Sequence, residues 1–220
     1  MISWALAGPT TMQTFLNITM SLDGFVAGPN ATLDEPLGEG GEQLHEWIVG
    51  LESWRRQHGL EGGDANADDE IVRATQERTG AFVMGRRMFS GGEGPWDDDP
   101  KANGWWGDEP PFGGPVFVVT HHAREPLRLG ATTFVFLDGI EGAIGLAREA
   151  AGDRDVQVSG GANVAQQALN AGLLDELHIH VAPQLLGDGV RLFERAEPRP
   201  IELSRVVESP LVTHLVYVVG

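Results

Sequence analysis

The middle of the chain alternates short apolar runs with stretches of helical periodicity, and this alternation limits the fold more than any other feature. AFVM (81–84), VFVVT (116–120) and TFVFL (133–137) carry no charge, and VQVS (156–159) is a further strand. Between and after them lie an Ala-rich helix from Ile140 to Ala151 and a second helix from Ala162 to Ala171, stopped by Gly172. Strands that are apolar on both faces must be covered on both faces, which calls for a parallel sheet between two helical layers.

The flanks extend this sheet. In FLNITMSL (15–22), Leu16, Ile18, Met20 and Leu22 alternate with polar residues, the period of a strand. Asp23-Gly24 makes a turn, FVAG is a short extended piece, and residues 29–41 are loop. From Glu42 to His58, Leu44, Trp47, Ile48, Leu51 and Trp54 recur at helical spacing. Gly59 to Ala67 breaks the pattern, and Asp68-Asp69-Glu70 opens a second helix where the macrodipole favours acids. Residues 90–114 form a loop too long to be a plain connection, so it is functional or mobile. Leu177, Ile179 and Val181 alternate with His178 and His180. IELSRVVE and LVTHLVYVV read as two strands joined by a turn. The expected architecture is a three-layer α/β/α sheet of eight main strands, mostly parallel, with a C-terminal antiparallel hairpin. Residues 12–220 read as one domain and 1–11 as an N-terminal extension, with Met12 a second candidate start.

Composition removes several functions. With no cysteine, disulfides, thiolate nucleophiles and Cys-ligated metals are excluded. Fifteen basic residues stand against 32 acidic ones, a net charge of −17, so nucleic acid and anionic membranes are not expected partners. No apolar run reaches the length of a membrane span, and the N-terminus lacks the basic region of a signal peptide; a cytoplasmic location is expected. Lys101 is the only lysine, and its loop is a poor desolvated site for Schiff-base chemistry.

Three junctions at strand ends carry candidate chemistry, because open α/β sheets bind ligands at the carboxyl ends of their strands. In VMGRRMF (83–89), Gly85 permits a tight turn before Arg86, Arg87 and Met88. The arginines suit a phosphate, or are simply a solvated pair. In VSGGANVAQQAL (158–169), paired glycines lead into a helix, a geometry that cradles phosphate or merely makes a tight turn. It is neither a G-x-G-x-x-G nor a P-loop sequence. In VFVVTHHA (116–123), Thr120 and His121 follow a buried strand, within reach of a ribose or its phosphate. His45-Glu46 does not complete H-E-x-x-H, and there is no G-x-S-x-G. His178 and His180 share a strand face and suit a metal or an interface. Asp97-Asp98-Asp99 is a solvated run or a metal site. Trp96, Trp105 and Trp106 stack on a planar ligand or pin the long loop. No metal is expected.

Taken in order, MSLDGFVAG, VMGRRMF, VVTH, VSGGANVAQQAL and LLDELHIHVAPQLLGDGVRLF resemble the dihydrofolate reductase-like superfamily. The nearest branch is that of the bacterial riboflavin-biosynthesis reductase domain, a pyrimidine reductase. The resemblance implies an NADPH-dependent reductase of a small planar heterocycle, commonly a homodimer. It implies that Arg86 and Arg87, after Gly85 and beside Met88, meet the cofactor phosphates, and that Thr120 and His121 lie near the ribose 2′-phosphate. It implies that Ser159, Gly160, Gly161, Ala162, Asn163 and Val164 cradle the pyrophosphate, and that Val26 and Ala27 lie near the nicotinamide. Trp47 and Trp96 are the candidates for contact with substrate, and Glu42, His45 and Glu46 for proton donation; Asp23 is a further donor candidate, or simply forms the Asp-Gly turn by accepting from backbone amides. Two departures stand out. Ser159 replaces the glutamate that typically faces the substrate in the riboflavin reductases. Asp98-Asp99-Pro100 is not followed by their Leu-Thr-x-Arg clamp. A phosphoribosyl substrate is therefore not expected, and a nucleotide-binding protein without turnover is the alternative.

Overall fold

Residues 12–220 are described by the computed structural model. The alternating N-terminal run is β1 (Thr14–Ser21), and the Asp23-Gly24 turn leads into β2 (Phe25–Ala27). The helix expected from Glu42 to His58 is instead three pieces: a 3-10 turn at Gly41–His45, α1 (Glu46–Val49) and α2 (Glu52–Gln57). It breaks at Gly50-Leu51, where Leu51 adopts extended backbone and bridges Asp64, whose amide donates to the Gly50 carbonyl at 2.9 Å.

Next come α3 (Ala67–Arg78), β3 (Thr79–Gly85), α4 (Arg86–Ser90), β4 (Pro115–Val119), β5 (Arg124–Leu129), β6 (Thr132–Leu137) and α5 (Ile140–Ala151). The chain continues with β7 (Asp155–Gly160), α6 (Ala162–Asn170), β8 (Glu176–Ala182), β9 (Val190–Arg191), β10 (Ile201–Glu208) and β11 (Thr213–Val219). Nine strands form one sheet in the order β10-β11-β8-β1-β7-β3-β4-β6-β5, and β2 pairs with β9 in a separate ribbon.

The run β8-β1-β7-β3-β4-β6 is parallel throughout. Both edges are antiparallel: β10-β11 on one side, as expected, and β5 on the other. β5 (REPLRL) was not expected as a strand. Its proline and alternating charges suit an edge, where one side needs no ladder partner.

The two sheet faces are covered differently. One packs α5 and α6 against a continuous apolar core that includes Leu16, Val83, Phe117, Val156, Val158 and Ile179. The other is divided. Phe82, Met84, Phe89, Val116, Val118, Phe134 and Phe136 form a cluster under the long loop, whereas α1–α3 pack through a smaller cluster of Trp47, Leu51, Val72 and Val212, with Ile48 and Trp54 partly buried against it. That second contact is small, and polar groups supplement it. Asp68 and Asp69 at the start of α3 are buried, not solvated. Asp69 Oδ1 accepts from the Ser53 amide at 2.7 Å, which ties α3 to α2.

Asn66 caps α3 by accepting from the Asp69 amide at 3.0 Å. Asn66→Ala is expected to cost about 0.5–2 kcal/mol, read as a lowered urea midpoint. Among the described residues, no helix is long and apolar enough to cross a membrane.

Candidate active site

β1, β7, β3 and β4 are adjacent and parallel, so they all end at one edge of the sheet. Two of the expected junctions meet there. A Cβ built on Gly85 would lie 3.1 Å from Val164 Cγ2 and 3.8 Å from both the Gly160 carbonyl and the Gly161 amide. Gly160 has φ +116°, and a Cβ there would lie 3.2 Å from Ile18 and 3.9 Å from the Met88 sulfur. The Gly160–Gly161 peptide is cis. Gly161 is the N-cap of α6 and has no side-chain cap bond, and the first turn holds no acid. The leading amides of α6 therefore have no side-chain partner, the condition under which a helix start accepts an anion. Ala162 and Val164 are buried beneath this turn, while Asn163 is exposed.

The third junction adjoins the first, since Val119 is the register partner of Gly85. Thr120 is buried, and its hydroxyl accepts from the His122 amide at 3.1 Å. His121 is exposed and its Nδ1 lies 2.9 Å from Asp138. Ser159 is half-buried, its Oγ accepting from Gln157 at 3.0 Å. Val26 packs in the core with Ala162 and Val164.

Ala27 leads into the Gly-rich segment that walls an open groove of about 690 Å³, lined by Glu35, Glu39, Glu42, Gln43, His45 and Glu46 among others. Glu42 and Glu46 thus share one groove. Burial pushes the His45 imidazole below its ordinary value, which favours the neutral ring. Glu35 and Glu39 were not expected here, because a loop carries no periodicity from which to read a facing.

Asp23 has a different role from proton donor. Ser21 Oγ donates to its Oδ1 at 2.6 Å, and the amides of Leu186 and Gly187 donate at 3.2 and 2.8 Å. These bonds, the Ser21 bond foremost, hold its carboxyl down at about 2. A group so held has no proton to give at neutral pH. It fastens the β1–β2 turn to the segment after β8.

The RibD C-terminal domain profile matches residues 13–210. The chain belongs to the RibD C-terminal domain family. Solved structures agree on the fold. A protein assigned to riboflavin biosynthesis from Shewanella sp. PV-4 superposes with TM-score 0.61 at 23% identity, covering 95% of this chain and 99% of that one. The diaminohydroxyphosphoribosylaminopyrimidine deaminase/5-amino-6-(5-phosphoribosylamino)uracil reductase of Thermotoga maritima gives TM-score 0.55 at 14% identity, over 96% of this chain and 57% of that one. RibD of Acinetobacter baumannii gives 0.53 at 16%, over 96% and 59%. The chain thus spans little more than half the length of these two bifunctional-sized relatives. No curated protein matches it.

Within this RibD-type domain, three expected contacts are engaged elsewhere. Arg86 is buried: its Nη2 pairs with Asp99 at 2.5 Å, its Nη1 meets Ser90, and its guanidinium lies 3.5 Å from the Trp96 ring. Arg87 is exposed, paired only with exposed Glu93, and remains the arginine able to meet a ligand. Trp96 is not a platform for substrate, because Arg124 covers the same ring at 4.4 Å, Phe89 and Phe136 meet it edge-on, and its indole N–H donates to the His122 carbonyl. It pins the long loop. Trp47 is 4% exposed, donates to Thr19 Oγ1 at 3.3 Å and packs on His180 and His214. It is a core residue.

Proposed function

We propose that this domain is an NADPH-dependent reductase of a small planar heterocycle. The carrying observation is the meeting of Gly85, Gly160 and Gly161 at the uncapped start of α6, with exposed Arg87 one residue beyond α4's first. Those groups suit a pyrophosphate: bare amides, a backbone that side chains do not screen, and a cation in a chain of strong negative charge. Gly161 has nothing within 4 Å of a Cβ position, so the cradle is open. When bound, the dinucleotide supplies hydride from its nicotinamide to an electrophilic ring carbon. The chain's residues bind and orient: Gly160–Val164 and Arg87 take the phosphates, Thr120 and His121 border the ribose, and Val26 and Ala27 flank the nicotinamide. Glu42 and Glu46 are the side chains left to deliver a proton into the groove.

A substrate without a phosphoribosyl group fits best. Ser159 stands where a carboxylate would face a pyrimidine, and Asp99 is consumed by Arg86. The same reading carries a homodimer, supported by exposed Ile201, Leu203 and Val206 on the edge strand β10 and checked by light scattering.

Titration with NADPH and NADH, followed by turnover on a panel of pterins and pyrimidines, tests the proposal. Tight NADPH binding with turnover supports it. Binding without turnover on any heterocycle favours the ligand-binding alternative, and no binding of either nucleotide overturns both. Asn163→Asp separates site from scaffold. A carboxylate in the first turn of α6 is expected to leave stability unchanged or raise it by up to about 1 kcal/mol. It should weaken NADPH binding about tenfold or more by like-charge repulsion.

A further inference from the structure

Four polar side chains run in line across the sheet beneath α1 and α3. Asn17 Oδ1 lies 2.8 Å from His180 Nε2, His180 Nδ1 lies 2.7 Å from His214 Nδ1, and His214 Nε2 lies 3.0 Å from Asp68 Oδ1. They come from β1, β8, β11 and α3, and His180 is the register partner of His214. His180, His214 and Asp68 are each 5% exposed or less. Trp47 of α1 covers them, its ring 5.0 Å from His180 and 5.1 Å from His214. The apolar cluster in this contact is small, four buried side chains with Ile48 and Trp54 partly buried against them, so the chain of hydrogen bonds adds to what docks the layer.

The proton inventory of this chain is tightly constrained. The Asp68 carboxylate only accepts, so His214 Nε2 carries a hydrogen. A neutral His214 then has a bare Nδ1, and the hydrogen in the 2.7 Å contact belongs to His180 Nδ1. His180 Nε2 is bare in turn, which requires the Asn17 amide to be turned about so that its nitrogen, not the oxygen, occupies this contact, the two ends being interchangeable in shape. Every polar atom is satisfied with both rings neutral. An added proton always meets a donor. On His180 it requires the Asn17 oxygen, not its nitrogen, at this contact and leaves a buried cation; on His214 it sets two N–H groups face to face.

We propose that the Asn17–His180–His214–Asp68 chain is a proton-sensitive latch that fastens the α1–α3 layer to the sheet, closed while both imidazoles are neutral and opened as they gain protons. Burial, then His214 and His178, pushes His180 well below its ordinary value. Burial also lowers His214, opposed by Asp68 and aided by Arg205 of β10. The remaining titratable neighbours are His178 of β8, bonded to Glu176 at 2.9 Å, and Asp69 of α3. A histidine depressed in the folded state binds fewer protons there than when unfolded. The latch is therefore fully effective above about pH 6.5 and weakens as pH falls below it. Since α1 supplies Glu46 and Val49 to the groove, acid would remove one groove wall while the parallel core holds. This inference stands whether or not the domain is a reductase.

Hydrogen exchange read by mass spectrometry, corrected for the intrinsic effect of pH, tests it on the whole chain. Protection in 46–57 and 67–78 should fall about tenfold per pH unit below 6.5 for one fully coupled histidine. Protection in β3, β4 and β6 should hold. His214→Gln retains an acceptor for His180 and a donor for Asp68 but takes up no proton, so its helices should lose the share of this pH dependence that His214 carries and keep only that of His180. His178→Gln should keep it. Should His214→Gln not fold, nitrogen-15 imidazole spectra of the unaltered chain decide: His180 protonated on Nδ1 and His214 on Nε2 support the latch, and any other tautomer pair overturns it. Helices that stay protected as long as the sheet, a His214→Gln variant that titrates like the parent, or a His178→Gln variant that does not titrate would each overturn it.

Discussion

Asp99→Ala is expected to destabilise the domain by about 3–5 kcal/mol, because it leaves the Arg86 guanidinium buried without its counter-charge. The two side chains are 2% and 7% exposed, so water does not replace the lost partner. Ser90 Oγ donates to the same carboxylate at 2.8 Å and the Lys101 amide at 2.8 Å, and both would be left without an acceptor. Asp99→Asn keeps acceptors for these and should cost less. Urea unfolding followed by circular dichroism measures both, and proteolysis within 91–114 should quicken in the alanine variant. The effect depends on pH in a definite sense. Burial alone would raise the Asp99 carboxyl, but bonds from Arg86, Ser90 and Lys101 outweigh it and hold the group below its ordinary value. A depressed carboxyl contributes its stability above the unfolded value of about 4 and loses it below. The parent and the alanine variant should converge as the solution is acidified past that point. An alanine variant as stable as its parent would mean that Arg86 finds another partner.

Arg87→Ala is expected to weaken NADPH binding about 10- to 150-fold, the worth of one charge-assisted bond of about 1.5–3 kcal/mol. Stability should hardly change, because the Arg87–Glu93 pair is exposed on both sides and such pairs contribute little. The two neighbouring arginines thus give opposite signatures, one in binding and the other in unfolding. Calorimetric titration of the Arg87 variant with NADPH and NADH shows which phosphate it meets. Loss confined to NADPH points to the 2′-phosphate, and equal loss to the pyrophosphate. Undiminished NADPH binding would place the phosphates elsewhere.

The sequence carried the parallel core plainly, because Val116–Val119 and Thr133–Leu137 are apolar on both faces and only a covered sheet accepts them. It also carried the glycine junction, since strand, Gly160-Gly161 and helix are contiguous in the chain. It did not distinguish Arg86 from Arg87. That division depends on Asp99, 13 residues away, folding back through the long loop. Asp68 reads as a helix-start acid because its partner, His214, lies 146 residues on. The two histidine strands held a usable signal: His178, His180 and His214 occupy alternate positions in strands that pair, so one buried polar face follows once the register is known. The β5 edge was missed because edge strands need no apolar alternation. Trp96 pins the long loop, one of the two roles its sequence position allows, and Trp47 is a core residue where a substrate contact is expected; each is enclosed by neighbours distant in sequence.

The position of β1 governs the order in which this fold can be made. The first strand lies in the middle of the sheet, with β7 and β8 on either side, and its entry is fastened to Asp155 and Asp175, 142 and 161 residues downstream. Chain synthesis at about 5–20 residues per second leaves β1 without either neighbour for roughly 7–30 s. During that interval β3, β4 and β6 can associate with α5, while an apolar strand waits for its slot to be built. A sheet closed last at its centre folds slowly for its size and is exposed to mispairing until then. Ribosome-bound fragments ending before Asp155 should therefore hold β1 open to protease even after the β3–β6 half is protected.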